Sequence, residues 1–144
     1  MKKTVLIADE DASVRKALAR VLEEEGYQII MVADARETLE RFESGAVDLL
    51  LMDISLPMKS GWAAFERITG RAQALPIIIV AAKANPYDMG IAASIGTLME
   101  KPLDVSQLLQ KIQELLAESQ EDRLRRLSAG HDPHYLSSLS AESR

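Results

Sequence analysis

Apolar residues in this chain come as short unbroken runs, separated by stretches in which they recur every three or four positions. The runs are Val5-Leu6-Ile7-Ala8, Tyr27 to Val32, Leu49 to Met52, Ile77 to Val80, and the stub Leu98-Met99. They predict five strands that are apolar on both faces, as in a sheet covered by helices on each side. Between them lie helical patterns. Val14, Ala17, Leu18, Val21 and Leu22 fall on one face of a first helix, capped by Asp11 or Ser13 and ended by Gly26. Asp34, with Glu37 three residues on, forms a capping box for a second helix that buries Ala35, Leu39 and Phe42 and stops at Ser44-Gly45. A third opens at Ser60-Gly61, runs through Trp62, Phe65 and Ile68, and ends near Gly70. Asn85-Pro86 suits the cap and first position of a fourth, which is poor in large side chains and is expected to be the loosest. Asp104 caps a fifth, with Val105, Leu108, Leu109, Ile112, Leu115 and Leu116 along one stripe. Such alternation predicts an α/β fold with a parallel sheet.

The pattern fades after residue 118. Arg123-Leu124-Arg125-Arg126-Leu127 is basic and weakly periodic, and Ser128 to Arg144 is rich in serine. Residues 1–118 therefore read as one domain and 119–144 as a flexible tail or linker. The two leucines could extend the fifth helix and pair it with a second copy, giving a homodimer. His131-Asp132-Pro133-His134 has the look of a metal site, but in a serine-rich tail it reads as a solvated loop.

Composition narrows the function. With 47% hydrophobic residues the chain can fill one core, while its net charge of −5 argues against a basic surface for direct nucleic-acid binding. No run approaches the roughly 20 apolar residues of a membrane helix. Met1-Lys2-Lys3 leads into a strand and not into an export signal, so a cytoplasmic location is expected. The absence of cysteine excludes disulfides and thiolate metal sites.

The chemistry sits where the strands end. The first run stops at Asp9-Glu10, the third at Asp53, the fourth at Ala81-Ala82-Lys83, and the fifth at Lys101-Pro102. Ligands of open α/β sheets bind just beyond the carboxyl ends of the strands. With strands one and three adjacent, three acids share a few ångströms and repel unless a cation intervenes. Mg²⁺ suits such a cluster, since it prefers hard oxygen ligands and one or two carboxylates. A carboxylate beside it can attack a phosphoryl donor and form an acyl phosphate, with Lys101 supplying positive charge to the phosphoryl oxygens. Acids at strand ends also arise simply because loops are solvated; the joint appearance at three strand ends is what carries the reading.

The residues Val5 to Asp11, then Asp48-Leu49-Leu50-Leu51-Met52-Asp53-Ile54-Ser55-Leu56-Pro57-Met58-Lys59-Ser60-Gly61, then Met99-Glu100-Lys101-Pro102 resemble a bacterial response-regulator receiver domain. This is the phospho-accepting module of two-component signalling. The resemblance spans residues 4 to 118 and implies a flavodoxin-like, doubly wound (βα)5 sheet of strand order 2-1-3-4-5. It implies Asp53 as phosphoacceptor, Asp9 and Glu10 as the acidic pair, the Ser55 backbone carbonyl as a further Mg²⁺ ligand, and Lys101 as the phosphoryl contact. A sensor histidine kinase or phosphotransfer protein would be the donor. A downstream protein would dock on the face of helix four, strand five and helix five.

Three positions depart from the family pattern. Glu10 replaces the usual second aspartate, and Leu98 stands where an aromatic residue is common. Ala81 replaces the threonine or serine whose hydroxyl bonds a phosphoryl oxygen, so coupling between phosphate and the helix-four face should be weakened or rerouted. Lys83 and Lys59 are potential extra donors that read better as solvated loop residues, and Trp62 is expected to pack. Two other readings remain open. A pseudo-receiver, binding proteins without using phosphate, is favoured by Ala81 and Leu98 and opposed by Asp53 and Lys101. An enzyme such as a Mg²⁺-dependent phosphatase or a flavin protein lacks its marks: position 55 is serine where a second acidic residue would be needed, and no glycine-rich phosphate loop opens the first helix.

Overall fold

The computed structural model describes residues 2–54, 61–71, 75–82, 97–119, 121–122 and 125. Five parallel strands, β1 (Thr4–Ala8), β2 (Gln28–Val32), β3 (Leu49–Asp53), β4 (Ile77–Ala81) and β5 (Thr97–Glu100), form one sheet in the order β2-β1-β3-β4-β5. Three helices, α1 (Ala12–Glu24), α2 (Ala35–Glu43) and α3 (Gly61–Arg71), and a C-terminal helix (Val105–Ala117) accompany it. This is the doubly wound, flavodoxin-like order expected. The predicted fourth helix at Asn85-Pro86, Lys59, Lys83, and the tail from residue 126 with His131 and His134 lie outside the described residues.

Side chains alternate across a strand, and the core follows that period. Val5 and Ile7 of β1 and Leu49 and Leu51 of β3 join Leu18 and Leu22 of α1 and Leu108 and Ile112 of the C-terminal helix. Leu6, Ala8, Leu50 and Met52 join Ala35 of α2 and Ile68 of α3 on the opposite face. Full burial on both faces holds for the inner strands β1, β3 and β4. The edge strands β2 and β5 are only partly covered, and Met31 of β2 is exposed.

Helix ends follow local chemistry. The Asp11 carboxylate, not Ser13, caps α1 and accepts the Ser13 N–H at 2.9 Å. Asp34 caps α2 by accepting the Glu37 N–H at 2.8 Å, while the Glu37 carboxylate reaches back to the Ala33 N–H at 3.1 Å. β2 starts one residue later than predicted because the Tyr27 N–H returns to the Leu22 carbonyl in the turn closing α1. On α1, Ala19 and not Ala17 turns to the sheet beside Leu18 and Leu22. On α2, Ala35 and Thr38 are buried, with Leu39 and Phe42 half-buried. The threonine is accommodated because its hydroxyl donates to the Asp34 carbonyl at 2.7 Å. Val105 is exposed, since the buried stripe of the C-terminal helix starts at Leu108. At the amino edge of the sheet, Asp48 clamps β1 to β3. Its carboxylate accepts the Thr4 N–H at 2.8 Å, and its own N–H donates to the Thr4 carbonyl at 2.9 Å.

Candidate functional site

Strand register gathers the candidate residues at the carboxyl edge. Ala8 pairs with Met52, Asp53 with Val80, and Val80 with Met99. Asp9, one residue past Ala8, is therefore level with Asp53, and Lys101 follows β5 directly. Alternation sets the side. Asp9 lies two residues after Ile7, Asp53 two after Leu51 and Lys101 two after Met99, all of the face covered by α1 and the C-terminal helix. Three residues scattered along the sequence thus converge because they share an edge and a parity.

The convergence is tight. Lys101 Nζ donates to Asp53 Oδ2 at 2.6 Å and to Asp9 Oδ2 at 3.2 Å. The two carboxylate side chains are only 5% and 6% exposed, while that of the lysine is 31% exposed. Burial pulls the Lys101 pKa down, but the hydrogen bonds and charges of Asp53 and then Asp9 outweigh it and hold it above the ordinary lysine value. The Lys101 N–H donates to the Ala81 carbonyl at 2.9 Å, tying the start of its loop to the end of β4; the Lys101–Pro102 peptide is cis.

Asp9 is fixed at four atoms. Its N–H donates to the Val32 carbonyl at 3.2 Å, Oδ1 accepts the Asp11 N–H at 2.9 Å, Oδ2 accepts Lys101, and its carbonyl accepts Arg15 Nη1 at 2.7 Å. Asp11 carries no such burden. It is an exposed cap, and hydrogen bonds from the Ser13 hydroxyl and N–H hold its pKa below the usual carboxylate value.

Among the described residues two buried carboxylates meet one ammonium, in a site made of hard oxygen donors. Such donors fit a divalent cation of the Mg²⁺ kind. Among the described residues no three acids gather into a ready-made cation cluster, for Glu10 is exposed beside Asp9. Ser55 lies outside the described residues. Ala81 is buried at the end of β4 and brings only a methyl group; Leu98 is half-buried and packs on the α2–α3 face of the sheet. Trp62 is the second residue of α3, and its side chain lies outside the described residues. Sequence reasoning missed Arg15. The available signal was its place in the first turns of α1, from which a long side chain leans back over the helix N-terminus.

Comparison with known proteins bears on the family and the fold. The family model for the response regulator receiver domain matches residues 5–113. The transcriptional regulatory protein DltR of Streptococcus agalactiae is 29% identical over 141 residues, covering 93% of this chain and 63% of that protein. The response regulator GtcR of Aneurinibacillus migulanus is 31% identical over 115 residues, covering 78% of this chain and 47% of its own length. The chain thus spans about half to two-thirds of the curated relatives it matches. Among solved structures, a CheY-like receiver domain protein from Methanospirillum hungatei superposes with a TM-score of 0.78 at 31% identity, over 84% of this chain and 98% of that one. TrrA of Thermotoga maritima, solved in complex with Mg²⁺ and BeF, gives 0.71 at 28% identity, over 78% and 98%.

Proposed function

The chain belongs to the response regulator receiver domain family, the phospho-accepting modules of two-component signalling, and from that membership we propose that Asp53 is its phosphoacceptor and Lys101 its phosphoryl contact. The observation that carries the assignment is the Lys101 ammonium bridging Asp53 and Asp9. A carboxylate oxygen of Asp53 attacks the phosphorus of a phosphohistidine on a sensor histidine kinase or phosphotransfer protein. The P–O bond forms as the P–N bond breaks, and the imidazole leaves with the electron pair. Lys101, already a hydrogen bond away, moves from the carboxylate to a phosphoryl oxygen. Asp9, Glu10, Asp53 and the Ser55 carbonyl would hold Mg²⁺, which supplies further charge neutralisation at the phosphoryl oxygens. Water later hydrolyses the acyl phosphate; beyond self-phosphorylation and autodephosphorylation no turnover of a separate substrate is assigned.

The relay away from the site is altered. A hydroxyl at position 81 would add a charge-assisted hydrogen bond of about 1.5–3 kcal/mol, roughly ten- to hundredfold in a two-state population. With Ala81 and Leu98 the domain is phosphorylated but transmits the event weakly or by another route. Output passes to a protein docking on the face of the predicted fourth helix, β5 and the C-terminal helix. Residues 1–118 form the receiver and 119–144 a tail, and pairing of copies through Leu124 and Leu127 is checked by the oligomeric state in solution. Acidity, at −5 net, supports the absence of direct nucleic-acid binding. No described helix is long and apolar enough to cross a membrane. Membership of the receiver family supports our placing the protein in the cytoplasm. The pseudo-receiver reading is not favoured, because the Asp9–Asp53–Lys101 machinery is intact.

An NMR titration with Mg²⁺ and beryllofluoride tests this. Amide shifts should move at the ends of β1, β3 and β5, with a small response along the C-terminal helix that grows in Ala81→Thr. No change at Asp53 and Lys101 with both reagents saturating contradicts the assignment.

A further inference from the structure

The Asp9 carbonyl lies just past the last ladder residue of β1, and the oxygen accepts the Arg15 guanidinium at 2.7 Å. That carbonyl and the Glu10 N–H belong to one planar peptide unit. Holding the oxygen therefore sets where the Glu10 Cα, and its carboxylate with it, leaves the chain. Glu10 needs such help: it is exposed, and among the described residues no hydrogen bond orients its side chain. Its extra methylene, relative to aspartate, makes it harder still to place. We propose that Arg15 is a positioning residue for the acid pair, fixing the Asp9–Glu10 peptide so that both carboxylates serve one divalent cation. The inference rests on the reading above that this pocket takes Mg²⁺.

Charge and position predict opposite signs for Arg15. Among the described residues its guanidinium makes no ion pair, so it bears a positive charge beside the pocket. By charge alone, removing it would tighten cation binding. By positioning, removing it loosens binding, as loss of an outer partner of a metal ligand costs roughly ten- to a hundredfold in affinity.

Calorimetric Mg²⁺ titration of the whole chain decides between them. Arg15→Ala should weaken binding roughly tenfold or more, and Arg15→Lys, which can still donate to the carbonyl, should recover part of it. Arg20→Ala removes an exposed cation of the same helix, paired among the described residues only with Glu24 at 3.9 Å, and should leave affinity unchanged or slightly tighter. Equal or tighter binding by Arg15→Ala overturns the inference. A second arm needs no metal: in the metal-free protein the Glu10 amide resonance should shift in Arg15→Ala and return toward its original position in Arg15→Lys. An unmoved Glu10 resonance overturns the role of Arg15 even if Mg²⁺ binds. Failure of the unaltered chain to bind Mg²⁺, with the resonance shifting as expected, instead sinks the reading of the pocket while the peptide-positioning role stands.

Discussion

β3 carries an aspartate at each end, and the two do unlike things. Asp48, just before the strand, gives its carboxylate to a single backbone N–H of β1 at the amino edge of the sheet. Asp53, at the carboxyl edge, is nearly buried and holds the ammonium of a lysine 48 positions further along. The side-chain chemistry is identical; the surroundings differ. At the amino edge the carboxylate meets a neutral backbone donor, the Thr4 N–H, and ties β1 to β3. At the carboxyl edge register and parity bring a second acid and a lysine, and the carboxylate sits against an ammonium, the setting in which we propose that it accepts phosphate. Position in a parallel sheet, more than residue type, decides which aspartate is structural.

The sharpest way to break this contrast is to replace each aspartate in turn. Asp53→Asn should abolish phosphoryl labelling by acetyl phosphate, while Asp48→Asn leaves it intact; labelling of the Asp53 variant at the original rate would erase the distinction. Next in size is Lys101→Met. Loss of a preorganised cation should slow labelling on the order of 10²–10³-fold. It should also destabilise the fold by less than the about 3–5 kcal/mol of a fully buried pair, because a third of the side chain is exposed. Urea unfolding with and without Mg²⁺ checks this, the cation restoring part of the loss. Asp48→Ala should then cost about 1–3 kcal/mol by leaving the Thr4 N–H without its acceptor, with labelling unchanged.

The smallest effect concerns pH. Lys101 has a folded-state pKa raised above its unfolded value. Its contribution to stability is thus fully present below the unfolded lysine value of about 10.4 and is lost as pH rises through the folded value. In the metal-free protein, unfolding experiments should show a decline in that alkaline window that Lys101→Met lacks. An identical alkaline profile for both proteins would show that the ammonium is not coupled to the carboxylates.

Much of this was legible in the residues. Unbroken apolar runs ending in Asp9, Asp53 and Lys101 announce both the sheet and its reactive edge, because a parallel sheet leaves few places for an acid except the ends of strands. Strand order needed the family resemblance, since periodicity says nothing about which run lies beside which. Ala17 and Val105 were misplaced because a small or first-turn apolar residue fits the helical period without reaching the sheet. Thr38 went unseen because its burial depends on a hydroxyl bond to Asp34 that no pattern of polarity reveals. Arg15 and Asp48 act through backbone atoms of other residues, Asp9 and Thr4, and a residue's reach toward a carbonyl or an N–H is not encoded in spacing alone.

Asp53 is proposed to take the phosphoryl group in a pocket closed by Asp9 and Lys101. Incubation with acetyl phosphate and Mg²⁺, reductive trapping of the acyl phosphate with borohydride, and peptide mass spectrometry test it directly. A single reduced site is expected, at position 53, and it should depend on Mg²⁺. Modification at any other carboxylate, or none at 53 in protein that demonstrably binds Mg²⁺, would contradict it.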